Sequence, residues 1–184
     1  LDIVCDLDDE SLKIVQEQFP GVKVTKNYND IINDESITGV AVVTPSHTHF
    51  KLVKAMLEAG KNVYVEKPIS TVAEEARVLT ELADEKGLVL MVGHLLLYHP
   101  AVNRLKMLIE EGTLGELVYA QSDRLNVNYH KNDRSVMWDL APHDVSMIAY
   151  ATGKNPVRVI SAVGCSSDRN EIMDITHLTI EFED

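Results

Sequence analysis

Two short stretches carry side chains able to do acid–base and charge-stabilising chemistry: YVEKPIS at residues 64–70 and WDLAPHDVSMIAY at residues 138–150. In the first, Glu66 and Lys67 stand between an apolar run and Pro68. An ammonium group there can hydrogen-bond a hydroxyl and stabilise an alkoxide as charge develops, with the neighbouring carboxylate holding the lysine or a ligand in place. The plain alternative is a solvated strand end. In the second stretch Asp139 and His143 are four apart, so on a helix they share a face and the carboxylate can orient and polarise the imidazole. An imidazole held in this way suits a general base, because histidine ordinarily titrates at about 6.5, close to neutral pH. A helix-start carboxylate beside a half-buried histidine is the more common origin of such a pair. Pro142 places the start of that helix near Leu140, with Asp139 at its cap.

Three further positions follow apolar runs. Asp6 ends the first of them, where a carboxylate can hold a vicinal diol through paired hydrogen bonds or can simply open a helix together with Asp8 and Asp9. Thr44-Pro45 follows GVAVV and offers a hydroxyl on a fixed turn, or an ordinary strand-to-helix turn with proline near the helix start. His47 and His49 are two apart, share no helical face, and have no Cys or carboxylate cluster beside them, so no metal site is expected.

These residues need elements to position them. Residues 1–5 read as a strand, 10–19 as a helix stopped by Pro20-Gly21, 22–25 as a short strand and 39–43 as a buried one. Residues 46–59 are helical, with Leu52, Ala55, Met56 and Ala59 as the apolar seam and Gly60 to cap the end. The strand at 62–65 then delivers Glu66 and Lys67. Thr71 and Glu74 have the spacing of a capping box, Val72, Ala76, Leu79 and Ala83 form a seam, Gly87 stops the helix, and 88–92 is the next strand. Strands separated by single helices imply a parallel sheet with right-handed crossovers, so residues 1–94 are expected to form a Rossmann-like, doubly wound α/β domain. In such sheets ligands bind at the carboxyl ends of the strands, where Asp6, Thr44, Pro45, Glu66 and Lys67 all fall.

The order changes after Gly93. Residues 100–111 read as a helix, 117–122 as a strand, 140–151 as a helix, and 157–165 and 174–182 as two strands with no helix between them. This predicts an α+β domain over residues 95–184, built on a mainly antiparallel sheet, with the hinge near Gly93-His94.

Composition narrows the class of partner. A formal charge of −12 and a pI near 4.9 exclude a broad nucleic-acid surface, which needs clustered Lys and Arg, and favour a small metabolite. No apolar run approaches the roughly 18 residues of a membrane span, and no charged-then-apolar leader opens the chain, so a soluble protein is expected. Cys5 and Cys165 lie in strand-like apolar runs and read as buried free thiols of a reducing, cytoplasmic protein.

The stretch VVTPSHTHFKLVKAMLEAGKNVYVEKP, followed by DLAPHD, resembles the Gfo/Idh/MocA family of NAD(P)-dependent oxidoreductases over nearly the whole chain. The resemblance implies that Asp6 holds the adenosine ribose of NAD in preference to NADP, that Thr44, Pro45, His49 and Glu66 lie near the cofactor, and that the bond before Pro68 is often cis, which would aim Lys67 inward. It further implies that Lys67 and His143 are catalytic with Asp139 behind the histidine, and that the protein is a homo-oligomer. Family members open with a strand and a G-x-G-x-x-G turn that holds the pyrophosphate. None of the nine glycines here lies two residues from another, so the resemblance makes the chain a fragment lacking that first strand and part of the second sheet. Such a fragment is expected to bind NAD poorly and to be poorly stable.

A narrower resemblance lies in VGHLLLYHPAVNRLKMLIEEGTLGELVYAQSDRLN, which is similar to the branch that oxidises the 3-hydroxyl of UDP-N-acetylglucosamine or its uronic acid. Leu95 and Leu96 stand where many members carry Asn and Arg, which weighs against a small polyol. A UDP-sugar needs local positive charge, for which Arg104, Arg124, Lys131 and Arg134 are candidates, each equally readable as solvated surface. Tyr98 and Tyr129 offer hydroxyl or stacking contacts, or ordinary packing. Arg124 and Tyr98 are the preferred substrate contacts. The alternatives are a dehydrogenase of a free polyol, inositol or sugar, and a relative that kept the fold without the activity.

Overall fold

The computed structural model describes residues 1–125, 135–166 and 173–184, which divide into two compact units, Leu1–Gly93 and His94–Asp184. The first unit alternates strand and helix. Strand β1 (Ile3–Cys5) is followed by α1 (Asp9–Gln18), β2 (Lys23–Thr25), α2 (Asn29–Ile32) and β3 (Gly39–Val42). After a 3₁₀ turn at Ser46–Thr48 come α3 (His49–Glu58), β4 (Asn62–Val65), α4 (Ala73–Lys86) and β5 (Leu90–Val92). Every ladder is parallel: β1 pairs with β2, and β4 lies between β3 and β5. The doubly wound parallel arrangement expected from the sequence is therefore present, in two ladders. Helix α2 was not anticipated, because its four residues are too few to show a period.

The core of this unit forms where α3 and α4 cover the three-stranded ladder. Val63 and Val65 of β4 are 2% and 0% exposed, while the alternate residues Tyr64 and Glu66 are only partly covered. Ile31, Val42, Val53, Met56, Leu57, Leu79 and Ala83 complete the cluster. The buried stripe of α3 is His49, Val53, Met56 and Leu57, so the expected seam of Leu52, Ala55, Met56 and Ala59 is corrected by a rotation of the helix. A histidine occupies the stripe's first position, and an apolar periodicity count passes over it.

The start of α4 also differs from expectation. Thr71 makes no cap; Val72 takes the N-cap backbone position, and the Ser70 hydroxyl accepts its N–H at 3.0 Å. Ser70 also donates to Glu75, while Glu74 is drawn off to Arg77. The Arg77 guanidinium lowers the Glu74 carboxyl below its ordinary range, chiefly through the hydrogen bond. At the other end Gly87 takes the left-handed conformation, φ +64°, and closes the helix as expected.

The second unit contains a 3₁₀ turn at Leu95–Tyr98, α5 (Pro100–Glu110), α6 (Val136–Thr152) and an antiparallel pair, β6 (Pro156–Cys165) and β7 (Ile175–Phe182), with Cys165 exposed at the end of β6 and not buried as its apolar run implied. Helices α5 and α6 pack together, with Tyr150 Oη donating to Asn103 Oδ1 at 2.8 Å and Lys106 Nζ 4.7 Å from the Tyr150 ring centre. Helix α6 begins four residues earlier than Pro142 suggested. The fixed proline φ is compatible with a helix, and Pro142 is carried inside α6 at the cost of one ladder N–H and of crowding by its ring against the carbonyl one turn earlier. The strand expected at 117–122 is absent: Val118 and Tyr119 are 90% and 72% exposed, and the described residues provide no ladder partner. Strand propensity without a neighbouring strand does not make a strand. Among the described residues no helix is long and apolar enough to cross a membrane.

Candidate functional site

In the first unit the chemistry-bearing residues follow the C-terminal ends of parallel strands. Asp6 follows β1, its backbone N–H donating to Thr25 O at 3.1 Å and its carboxylate accepting the Asp8 N–H at 2.9 Å. Asp6 is exposed at the strand end. It acts on its neighbour Cys5, whose thiol pKa is raised by burial first and then by the charges of Asp6 and Asp30.

Thr44 and Pro45 follow β3. The Thr44 and Thr48 hydroxyls lie 2.7 Å apart, and Pro45 O accepts both the N–H and the hydroxyl of Thr48. This turn is joined to the next one by His49, which is 1% exposed. Its Nε2 lies 2.7 Å from Thr44 O and its Nδ1 2.7 Å from Pro68 O, so whichever nitrogen carries the proton donates to a backbone carbonyl. His49 therefore ties the turn after β3 to the turn after β4 from beneath. A ring so enclosed acts on its surroundings through the two turns that it joins. His47 is exposed, and among the described residues no group of three or more His, Cys, Asp or Glu is placed to hold a metal ion.

Glu66, Lys67 and Pro68 follow β4, all partly buried, and the Lys67–Pro68 bond is cis. The Glu66 carboxylate is held on both oxygens: Tyr64 Oη donates to Oε1 at 2.8 Å, and the Lys67 backbone N–H donates to Oε2 at 3.2 Å. Gly93, at the end of β5, approaches so closely that a Cβ there would lie 2.6 Å from Tyr64 Oη and 3.0 Å from Glu66 Oε2. Tyr64 and Gly93 were not singled out from the sequence. The signal available was the alternation of β4, which puts Tyr64 and Glu66 on one face two residues apart.

In the second unit Asp139 lies in the first turn of α6 at 2% exposure, and His143 is half-buried one turn further along. The two occupy i and i+4 of one helix, so the shared face expected of them exists. Asp144, next to His143, takes Arg124: Nε donates to its two carboxylate oxygens at 3.0 and 2.9 Å, and the Ser122 hydroxyl donates at 2.7 Å. Arg124 thus fastens the 117–125 segment to α6 with its Nε. Arg104 is paired with Glu111 at 3.7 Å, and Tyr98 is 66% exposed. Tyr129, Lys131 and Arg134 lie outside the described residues.

A carboxylate after β1, and a hydroxyl and a carboxylate after β3 and β4, offer acceptors that suit the ribose hydroxyls of a dinucleotide cofactor. Comparison with known proteins bears on the same question. Residues 1–94 match the model of an oxidoreductase family with an NAD-binding Rossmann fold, and residues 102–184 match the Gfo/Idh/MocA C-terminal domain. The chain is similar to the scyllo-inositol 2-dehydrogenase (NADP(+)) IolW of Bacillus subtilis (strain 168), with 30% identity over 91% of this chain and 49% of that protein. It is also similar to the UDP-N-acetylglucosamine 3-dehydrogenase of Acidithiobacillus ferrooxidans, with 34% identity over 71% of this chain and 41% of that protein. Among solved structures, GenD2 from gentamicin A biosynthesis in complex with NAD superposes with a TM-score of 0.85 at 26% identity, over 99% of this chain and 55% of that one. The chain spans about half the length, or less, of the curated relatives it matches. With a parallel Rossmann-like unit, an α+β unit and both family models matched in order, the chain belongs to the Gfo/Idh/MocA oxidoreductase family.

Proposed function

We propose that the protein is an NAD(P)-dependent dehydrogenase that takes a hydride from the hydroxyl-bearing carbon of a sugar, with NAD preferred, and that its substrate is a UDP-N-acetylhexosamine or its uronic acid oxidised at C3. The observation that carries this reading is the held Glu66 carboxylate beside Lys67 at the carboxyl end of β4. In this reading Leu1–Gly93 binds the dinucleotide through Asp6, Thr44, Pro45, Glu66 and Lys67, and the second unit binds substrate and mediates homo-oligomerisation. His143 takes the hydroxyl proton, Asp139 steadies the resulting imidazolium, and Lys67 stabilises the oxygen as the carbon loses hydride. NAD, when bound, supplies the hydride acceptor. Arg124 and Tyr98 contact the substrate. A second reading, oxidation of an inositol or other free polyol, is favoured by the similarity to an inositol dehydrogenase over 91% of the chain.

The test uses the full-length protein, a panel of UDP-N-acetylglucosamine, its uronic acid, scyllo- and myo-inositol and free hexoses, and NADH or NADPH absorbance. Turnover of the nucleotide sugars with NAD is expected to exceed the rest; inositol turnover would favour the second reading, and no turnover of any would overturn both. His143→Ala is expected to lower kcat by at least about a hundredfold while NAD affinity stays within about twofold. Normal kcat with lost NAD affinity would remove His143 from proton transfer.

A further inference from the structure

We propose that Tyr64 and Gly93 are positioning residues that set the orientation of the Glu66 carboxylate, and through it the cofactor-binding geometry of the first unit. The inference rests on the proposed role of Glu66 in the dinucleotide site. A glutamate side chain at a strand end has three rotatable bonds and would ordinarily sample several rotamers in water. Here both oxygens are engaged from within two residues along the chain, by the Tyr64 hydroxyl at 2.8 Å and the Lys67 N–H at 3.2 Å. The third wall is Gly93, which is buried and lies at the end of the neighbouring strand β5. Its N–H donates to Val65 O at 2.8 Å, which fixes its backbone to the end of β4.

The space Gly93 leaves is filled by the phenol and the carboxylate. A Cβ at this position would meet Tyr64 Oη at 2.6 Å, closer than two unbonded heavy atoms tolerate, and Glu66 Oε2 and Cδ at 3.0 and 3.2 Å. Both contacts are with the far ends of side chains, and relieving them moves the groups that hold the carboxylate. The tyrosine oxygen moves only with its ring, and the glutamate oxygen moves only by giving up the Lys67 N–H. Tyr64, Glu66 and Gly93 are consequently one steric and hydrogen-bonded unit, in which a side chain at residue 93 would have to displace the phenol, the carboxylate or both.

The experiment measures cofactor KM, kcat and thermal midpoint for Glu66→Gln, Tyr64→Phe, Gly93→Ala and the double variant Tyr64→Phe/Gly93→Ala in the full-length enzyme. Phenylalanine keeps the ring and removes only the hydroxyl. Tyr64→Phe is expected to raise cofactor KM roughly five- to tenfold, with kcat within about twofold and an unchanged midpoint, in line with the usual net strength of a single hydrogen bond. Gly93→Ala is expected to raise KM at least as much and to lower the midpoint by about 4 °C or more. In the double variant the oxygen that the new methyl strikes is gone, so its KM and midpoint should lie closer to wild type than the product of the single effects. Wild-type KM in Tyr64→Phe beside an impaired Glu66→Gln would overturn the positioning role and leave the site reading standing. Wild-type KM in Glu66→Gln would overturn both. Fully multiplicative effects of Tyr64→Phe and Gly93→Ala would show that the two residues do not act through one contact, and would also overturn it.

Discussion

His49 shows how a polar side chain at a helix start can serve the fold. A histidine two residues from another, at a helix start beside a threonine turn, invites a ligand role. The structure instead buries it to 1% exposure and places both ring nitrogens against carbonyls of the turns after β3 and β4. Replacing it with alanine removes an N–H donor, leaves buried backbone acceptors without it and opens a cavity. His49→Ala is expected to destabilise the protein by roughly 2–4 kcal/mol. Urea unfolding followed by circular dichroism checks this, and a change within about 0.5 kcal/mol of zero would show that the bridge contributes nothing.

At the scale of elements, two helix starts make distinct predictions. Ser70, not Thr71, holds the chain leading into α4 by accepting the Val72 N–H, so Ser70→Ala is expected to cost about 1 kcal/mol and Thr71→Ala to fall within about 0.5 kcal/mol of wild type. The reverse order in thermal unfolding would restore the capping box at Thr71. Helix α1 is capped by Asp8, whose Oδ2 accepts the Ser11 hydroxyl and N–H at 2.8 and 2.9 Å. These bonds, the hydroxyl first, lower the Asp8 carboxyl below its ordinary value. The carboxylate therefore adds stability at pH above the unfolded pKa of about 4, and that stability is lost as pH falls through the lower folded value. Faster exchange of the Ser11 amide relative to the α3 core as pH is lowered through that range, abolished in Asp8→Ala, is the expected signature. The helix dipole acts in the same direction, with Asp9 and Glu10 in the first turn.

Across the whole molecule, burial is unequal between the two units. Val53, Leu57, Val65 and Leu79 are fully buried in the first unit, whereas Val157, Val159, Ile160 and Val163 of β6 are 57–63% exposed. Amide exchange by mass spectrometry of the 184-residue chain is expected to find its slowest segments in α3, β4 and α4, with β6 and β7 exchanging much sooner. Protection of β6 equal to that of β4 would show that the hairpin is covered by something other than its own partner strand.

The amino-acid sequence by itself determined the alternation of strands and helices over the first half, the change of order after Gly93, and the presence of an acid–base pair on one helix. These follow from local rules: side-chain period, glycine stops, and i, i+4 spacing. Tertiary structure decided the rest. Whether residues 117–122 form a strand depends on a partner that their own composition cannot provide, and the start of α6 before Pro142 is held by Met173 O, which accepts the Val136 N–H at 3.1 Å. The grip on Glu66 needs Gly93, twenty-seven residues away along the chain and adjacent only because β4 and β5 pair in parallel with Val65 beside Val92. A register of hydrogen bonds between strands, not any motif, brings that glycine against the tyrosine hydroxyl, because strand pairing is a relation between segments and leaves no mark in either one alone.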